Sequence, residues 1–222
     1  MEGKSKFLKR DKAVNIINDL LEADLATSYD FEKHKLSWLQ EGVEFSFRLP
    51  ITLYASPYGD FDPERIVTYL MLLVQSGSAS VGVFQGEDCL SHKVFSSYMV
   101  RKKQGKSQIK HLKMKGKSRA GSRIRLASGN EMFENVNERL QKHFSEQQFD
   151  RIAFSCSKIL LPYLFGSKVE TPFDKKDERI FKIPKHLHQP NFEVMLGMQK
   201  FMNQGELIIP EGVDEGDLFY LR

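Results

Sequence analysis

The residue with the most distinctive chemical setting is Gln108, at the end of Arg101-Lys102-Lys103-Gln104-Gly105-Lys106-Ser107-Gln108. A neutral amide is no general base at neutral pH. It can orient a water by hydrogen bonding, and neighbouring backbone amides can stabilise a developing oxyanion. A flexible cationic tip of this kind holds only part of an active site. The remainder must come from something large and anionic, and RNA fits that description.

The charge distribution points the same way. Arg101, Lys102, Lys103, Lys106, Lys110, Lys113, Lys115, Lys117, Arg119, Arg123 and Arg125 put 11 cations into a stretch without Asp or Glu. Removing those 11 from the 33 Lys and Arg leaves 22 against 29 Asp and Glu, a body of −7. One intensely basic segment on a mildly acidic body suits a polyanion, most often nucleic acid. A solvated basic loop without a dedicated partner is the bland alternative.

Other constellations carry less. Gly105-Lys106-Ser107 and Gly116-Lys117-Ser118 resemble the end of a phosphate-binding loop, but the required earlier glycine is replaced by Val100 and His111. His186 and His188 lack a carboxylate or cysteine at a familiar metal-ligand spacing. Two cysteines, Cys89 and Cys156, make neither a four-thiol zinc site nor a disulfide framework, and read as buried small apolar residues. No metal or cofactor is expected. The apolar runs fall short of the ~20 residues a membrane helix needs, and Met1 to Arg10 has no apolar signal-peptide core. The expectation is a soluble, cytoplasmic monomer.

The elements that must position Gln108 follow from periodicity. Asp11 is expected to cap a helix from Lys12 to Tyr29, with Val14, Ile17, Leu20, Leu21 and Leu25 on one face. The alternation from Glu44 to Leu49 predicts a strand reaching Leu53, with Pro50 at a bend or edge. Tyr54 to Asp62 is turn-rich and marks an internal boundary. Ile66 to Val74, Ala79 to Phe84 and Cys89 to Val100 read as a three-stranded meander, the first also compatible with a helix. The basic segment has no apolar periodicity and reads as a long mobile loop, poorly ordered from Lys103 to Ser122.

A capping box at Ser128-Gly129-Asn130-Glu131 then predicts a helix start, with Met132, Val136, Leu140 and Phe144 facing the core. Asp150 to Ser155 reads as a buried strand, followed by an apolar stretch helical around Pro162. Arg179 to Pro184 reads as a strand, Pro190 opens a helix through Met202, and Leu207 to Ile209 reads as a last strand. The fold class is α/β in the mixed α+β sense, a mixed sheet with flanking helices and a long basic loop. Residues 1–60 are expected to form an N-terminal extension of helix plus strand, 61–210 the main domain and 211–222 a tail.

Tyr98 to Gln108, then Lys115 to Arg125, resemble the release-factor-like domain of the VLRF family. This domain occurs in eukaryotic ribosome quality-control proteins that also bear a zinc finger and ankyrin repeats. It is a distant relative of the central domain of eukaryotic and archaeal class 1 release factors. Ser80 to Gly86, Asp150 to Ser155, Phe165-Gly166, Ile183-Pro184 and Pro190-Asn191-Phe192 extend the likeness over about residues 62–204.

The resemblance implies an RNase H-like fold acting on peptidyl-tRNA at the large ribosomal subunit. The stalled chain would be freed by ester hydrolysis or by a cut near the tRNA 3′ CCA end, without metal. By position it makes Gln108 the key glutamine, Gly105 the loop glycine and Ser107 the small residue before the glutamine. Lys106 departs from the family's frequent glycine. Leu126 to Glu131 keeps only the end of the family's usual Arg-Tyr-Asn-Glu pattern, and neither the zinc finger nor the repeats are visible. A non-catalytic module that anchors to RNA through the basic loop is the competing reading, favoured by Lys106 and opposed by Gln108.

Overall fold

The computed structural model describes residues 4–23, 27–97 and 118–213, with residues 118–128 described by backbone only. The chain forms a mixed α+β structure around two five-stranded sheets.

The central sheet has the order β11-β10-β7-β8-β9, built from β7 (Thr68–Gln75), β8 (Ser78–Gln85), β9 (Asp88–Ser96), β10 (Arg151–Cys156) and β11 (Ile180–Lys182). The expected meander is present. β7 pairs antiparallel with β8 and β8 with β9, while β10 lies parallel to both β7 and β11. β7 is a strand because both of its faces are covered, which makes an unbroken apolar run suitable. Leu70, Leu72 and Val74 face one core and Tyr69, Met71 and Leu73 the other.

The first core is covered by α2 (Ser118–Glu146), through Met132, Phe133, Val136 and Leu140. The second is covered by α4 (Phe192–Met202), through Met195, Met198 and Met202. Asn191 caps α4 by accepting a hydrogen bond from the Val194 amide. α4 lies close to β8, where a Cβ at Gly82 would press on the Met195 side chain and the Phe84 ring.

The second sheet has the order β1-β12-β4-β3-β2, all antiparallel, from β1 (Lys4–Leu8), β2 (Thr27–Asp30), β3 (Lys35–Gln40), β4 (Val43–Arg48) and β12 (Gly205–Ile209). α1 (Arg10–Glu22) buries Ala13, Ile16, Ile17 and Leu20 against it. β5 (Tyr54–Ala55) and β6 (Phe61–Asp62) form a small ribbon in the turn-rich stretch.

Three sequence expectations need correction. α1 begins at Arg10 with Lys9 at the cap position, and Asp11 lies in its first turn, where a carboxylate favours the helix N-terminus. α1 also ends at Glu22, because Thr27 to Asp30 pair with β3 as a strand, Thr27 opposite Trp38. β4 stops at Arg48, just before Pro50, which has no amide to donate.

A buried polar cluster joins the two sheets. Arg151 of β10 is 3% exposed, and its guanidinium lies 3.5 Å from the centroid of the Phe31 ring. It donates to the Phe31 carbonyl at 2.6 Å, to the Tyr29 hydroxyl at 2.7 Å and to His34 Nδ1 at 3.1 Å. The Tyr29 hydroxyl donates to the same nitrogen at 2.5 Å. Both donors require an unprotonated Nδ1, so the proton sits on Nε2, which donates to the Pro50 carbonyl at 3.0 Å. Burial first, then the nearby Arg151 charge, push the His34 pKa down to about 3.

Folding thus removes a proton-binding site. Between the unfolded value near 6.5 and the folded value near 3, the unfolded chain holds one proton more. His34 therefore contributes stability that is complete above about pH 6.5 and lost as pH falls, with a slope of up to about 1.4 kcal/mol per pH unit. Urea denaturation between pH 7 and pH 4.5 should show this decline in the wild type. His34→Asn should be less stable at pH 7 and lose stability more slowly on acidification. A parallel decline in both proteins would show that His34 does not titrate on unfolding.

Candidate nucleic-acid interface

β7, β9, β10 and β11 all point the same way, so their carboxyl ends share one end of the central sheet. β9 ends there at Ser96. The Ser97 amide donates to the Gly77 carbonyl at 3.0 Å, across the tight β7–β8 turn where Gly77 takes φ 81°. The basic segment leaves from this point.

It returns through α2, whose 29 residues make a helix about 44 Å long. The eight-residue strands beneath it span only about 27 Å. α2 passes directly into Phe149 and Asp150 at the opposite end of the sheet, where the Asp150 amide donates to the Thr68 carbonyl at 2.8 Å. The surplus length of about 17 Å therefore lies at the N-terminal end of α2. About three turns of helix project past the sheet on the side from which the loop departs.

This corrects the expected helix start. Ser128 to Glu131 lie inside α2, not at its cap, and mark where the helix meets the core. Upstream the apolar periodicity of the sequence stops while the helix continues. Ser118 to Ser122, expected in the mobile loop, are helical. Ser118 opens α2, while Gly116 and Lys117 lie outside the described residues.

Arg119, Arg123 and Arg125 are placed on the projecting turns of α2. Gly105, Ser107 and Gln108 lie outside the described residues, as do Arg101, Lys102, Lys103, Lys106, Lys110, Lys113, Lys115 and Lys117. His186 and His188 are exposed, with rings 5.9 Å apart and edge-on. Cys89 and Cys156 are half-buried free thiols, and burial pushes Cys156 up to about 12.

Three contacts that sequence reasoning missed hold α2 in place. Asn137 is fully buried and donates from Nδ2 to the Leu164 carbonyl at 2.9 Å and the Val169 carbonyl at 2.7 Å. It ties α2 to the segment around α3 (Leu161–Phe165). A signal was available: Phe133, Asn137, Leu140 and Phe144 share one helical stripe, and an amide on an apolar stripe demands partners. Arg139 donates to Ser91 Oγ at 2.7 Å, fixing α2 to β9. Gln141 donates to the Glu170 carbonyl at 2.8 Å.

The family model for the Bacteroidetes VLRF1 release factor matches residues 69–208, and the chain belongs to that family. It is 23% identical over 128 residues to the Mus musculus protein named tRNA endonuclease ANKZF1, covering 56% of this chain and 17% of the mouse protein. The structure of the Vms1 mitochondrial localization core superposes with a TM-score of 0.43 at 14% identity, covering 93% of this chain and 86% of that one. No helix among the described residues is long and apolar enough to cross a membrane.

The Asn137 contacts give a direct test of how α2 is held. Asn137→Ala leaves one buried and one part-buried carbonyl without their donor and should cost about 1–3 kcal/mol. Urea denaturation reads this as a lower midpoint with an unchanged m-value. A loss below about 0.5 kcal/mol would show that the carbonyls find other donors.

Proposed function

We propose that this protein frees stalled nascent chains by cleaving peptidyl-tRNA at the 3′ end of the tRNA on the large ribosomal subunit, in the cytoplasm and as a monomer. The reading is carried by the family match over residues 69–208, which contains the whole basic segment and its glutamine. The projection of α2 supports it, since a loop rooted on a long arm can reach into a deep RNA site.

In this reading the Lys and Arg residues from Arg101 to Arg125 follow the phosphates of the acceptor stem. Gln108 holds the attacking water beside the scissile bond, and the backbone around Gly105 and Ser107 turns its amides toward the developing oxyanion. For ester cleavage the water oxygen bonds to the peptide carbonyl carbon and the ester C–O bond breaks. The proton passes to the leaving 3′ oxygen, and the products are a free peptide and an intact tRNA. A phosphodiester cut would leave a shorter tRNA, and the name of the mouse relative keeps that outcome in play. A denaturing gel of the tRNA product separates the two.

Gln108→Ala should lower single-turnover cleavage roughly 10²–10³-fold, with RNA affinity and Tm unchanged. Cleavage at the wild-type rate would make the glutamine an ordinary loop residue and favour an anchoring module. Lys113, Lys115 and Lys117 changed together to Ala should reduce the dependence of log K on log salt by roughly two to three. An unchanged slope would remove these lysines from the interface.

A further inference from the structure

A cavity of about 180 Å³ opens where β10 and β11 begin, at the end of the central sheet opposite to the basic segment. Its apolar wall is built by the buried Leu53, Val67 and Phe149 together with Phe31 and Tyr54. Both rings are held by guanidinium groups. Arg151 lies 3.5 Å from the Phe31 centroid, and Arg65 lies 3.8 Å from the Tyr54 centroid.

Four charged side chains also line the cavity, and two of them have opposite charges of their own. Asp150 binds Arg65 and accepts from the Thr68 amide at 2.8 Å. Arg179 donates to the two carboxylate oxygens of Asp177 at 2.9 and 2.6 Å. Arg151 and Glu178 are left without such partners. Arg151 is 3% exposed, and its acceptors are a carbonyl, a phenol and a neutral imidazole. Those three bonds leave its Nε–H and one N–H of Nη1 without an acceptor among the described residues. Glu178 is exposed and makes no side-chain hydrogen bond or ion pair among the described residues. The Ile152 amide donates to the Arg179 carbonyl at 2.8 Å, so the segment carrying Glu178 runs alongside the start of β10.

An unpaired guanidinium taken out of water carries a desolvation cost that a carboxylate beside it offsets. A simple anion would answer Arg151 but leave Glu178 as a like charge at the rim. A simple amine would answer Glu178 and leave Arg151 as it is. Size narrows the choice further: a cavity of ~150 Å³ holds a benzene-sized group, which leaves no room for a nucleotide or a peptide. We infer that this cavity binds a free α-amino acid with an apolar side chain. Its carboxylate meets Arg151, its ammonium meets Glu178, and its side chain packs on Leu53, Val67 and Phe149. The inference does not depend on the peptidyl-tRNA reading, because the cavity and the basic segment lie at opposite ends of the sheet.

Chemical-shift titration of the isotope-labelled full chain tests it with L-leucine and L-phenylalanine. Isocaproate and isoamylamine serve as controls, since each carries the leucine side chain with one of the two charged groups. At least one of the amino acids should bind at millimolar concentration or below, shifting amides around Leu53, Val67 and Arg151. Each control should bind roughly tenfold more weakly than L-leucine, the worth of one hydrogen bond to a charged group. Glu178→Gln, at an exposed position, should weaken amino-acid binding by about the same factor while leaving isocaproate binding and Tm unchanged. The absence of binding by both amino acids overturns the inference. So does L-leucine binding no tighter than isocaproate, or an affinity that Glu178→Gln leaves unchanged.

Discussion

The packing of α2 on the central sheet sets what the rest of the molecule can do. Met132, Phe133, Val136 and Leu140 fill the core over β7, β8 and β10, and Asn137 and Arg139 add directional contacts to Leu164, Val169 and Ser91. Apolar contact alone would let a helix slide or roll on a sheet. Hydrogen bonds to fixed carbonyls and to a strand hydroxyl select one rotation and one depth. With the depth fixed, the surplus helix length emerges at one end of the sheet, beside the end of β9. Both ends of the basic segment are thereby held to the same face of the molecule.

The opposite end of the sheet is braced against the N-terminal unit. Arg151 at the start of β10 reaches across to Phe31, Tyr29 and His34, and Asp150 binds both Arg65 and the Thr68 amide. Burial of a guanidinium costs free energy unless its donors are satisfied. Here a carbonyl, a phenol and a neutral imidazole accept from it, and the Phe31 ring covers its face. Burial raises the Tyr29 pKa to about 12, so the phenol stays protonated and able to donate. β12 adds a second tie: it follows α4 directly and enters the N-terminal sheet between β1 and β4. The described strands β1 and β4 are thereby paired to a strand that follows the central sheet's covering helix.

Much of this architecture was legible in the sequence. The meander, the strand at Arg151, the helix following Pro190 and the last strand all follow from alternation, turn chemistry and apolar runs, whereas the Asn191 cap emerges only in the structure. The errors share one cause, which is that local pattern reports contact with a core rather than secondary structure as such. α2 carries no apolar stripe in the sequence of its first turns, so they read as loop. α1 seemed to continue to Tyr29 because Leu25 kept the helical spacing, whereas pairing with β3 decides Thr27 to Asp30. Arg151 and His34 carry no pattern of their own, since their significance arises only when distant segments meet. Gln108 stands out through its setting and its family likeness, which bear on chemistry rather than on packing, and it lies outside the described residues.

The central claim is that Gln108 meets the aminoacyl end of the tRNA. Photo-crosslinking tests it most directly: p-benzoylphenylalanine replaces Gln108, the protein is bound to large subunits carrying peptidyl-tRNA, and the crosslinked nucleotide is mapped. Crosslinks to the terminal nucleotides of the CCA end, or to the first residues of the attached peptide, are the predicted result. Crosslinks confined to the tRNA elbow, or to ribosomal RNA far from the peptidyl-transferase centre, would contradict it.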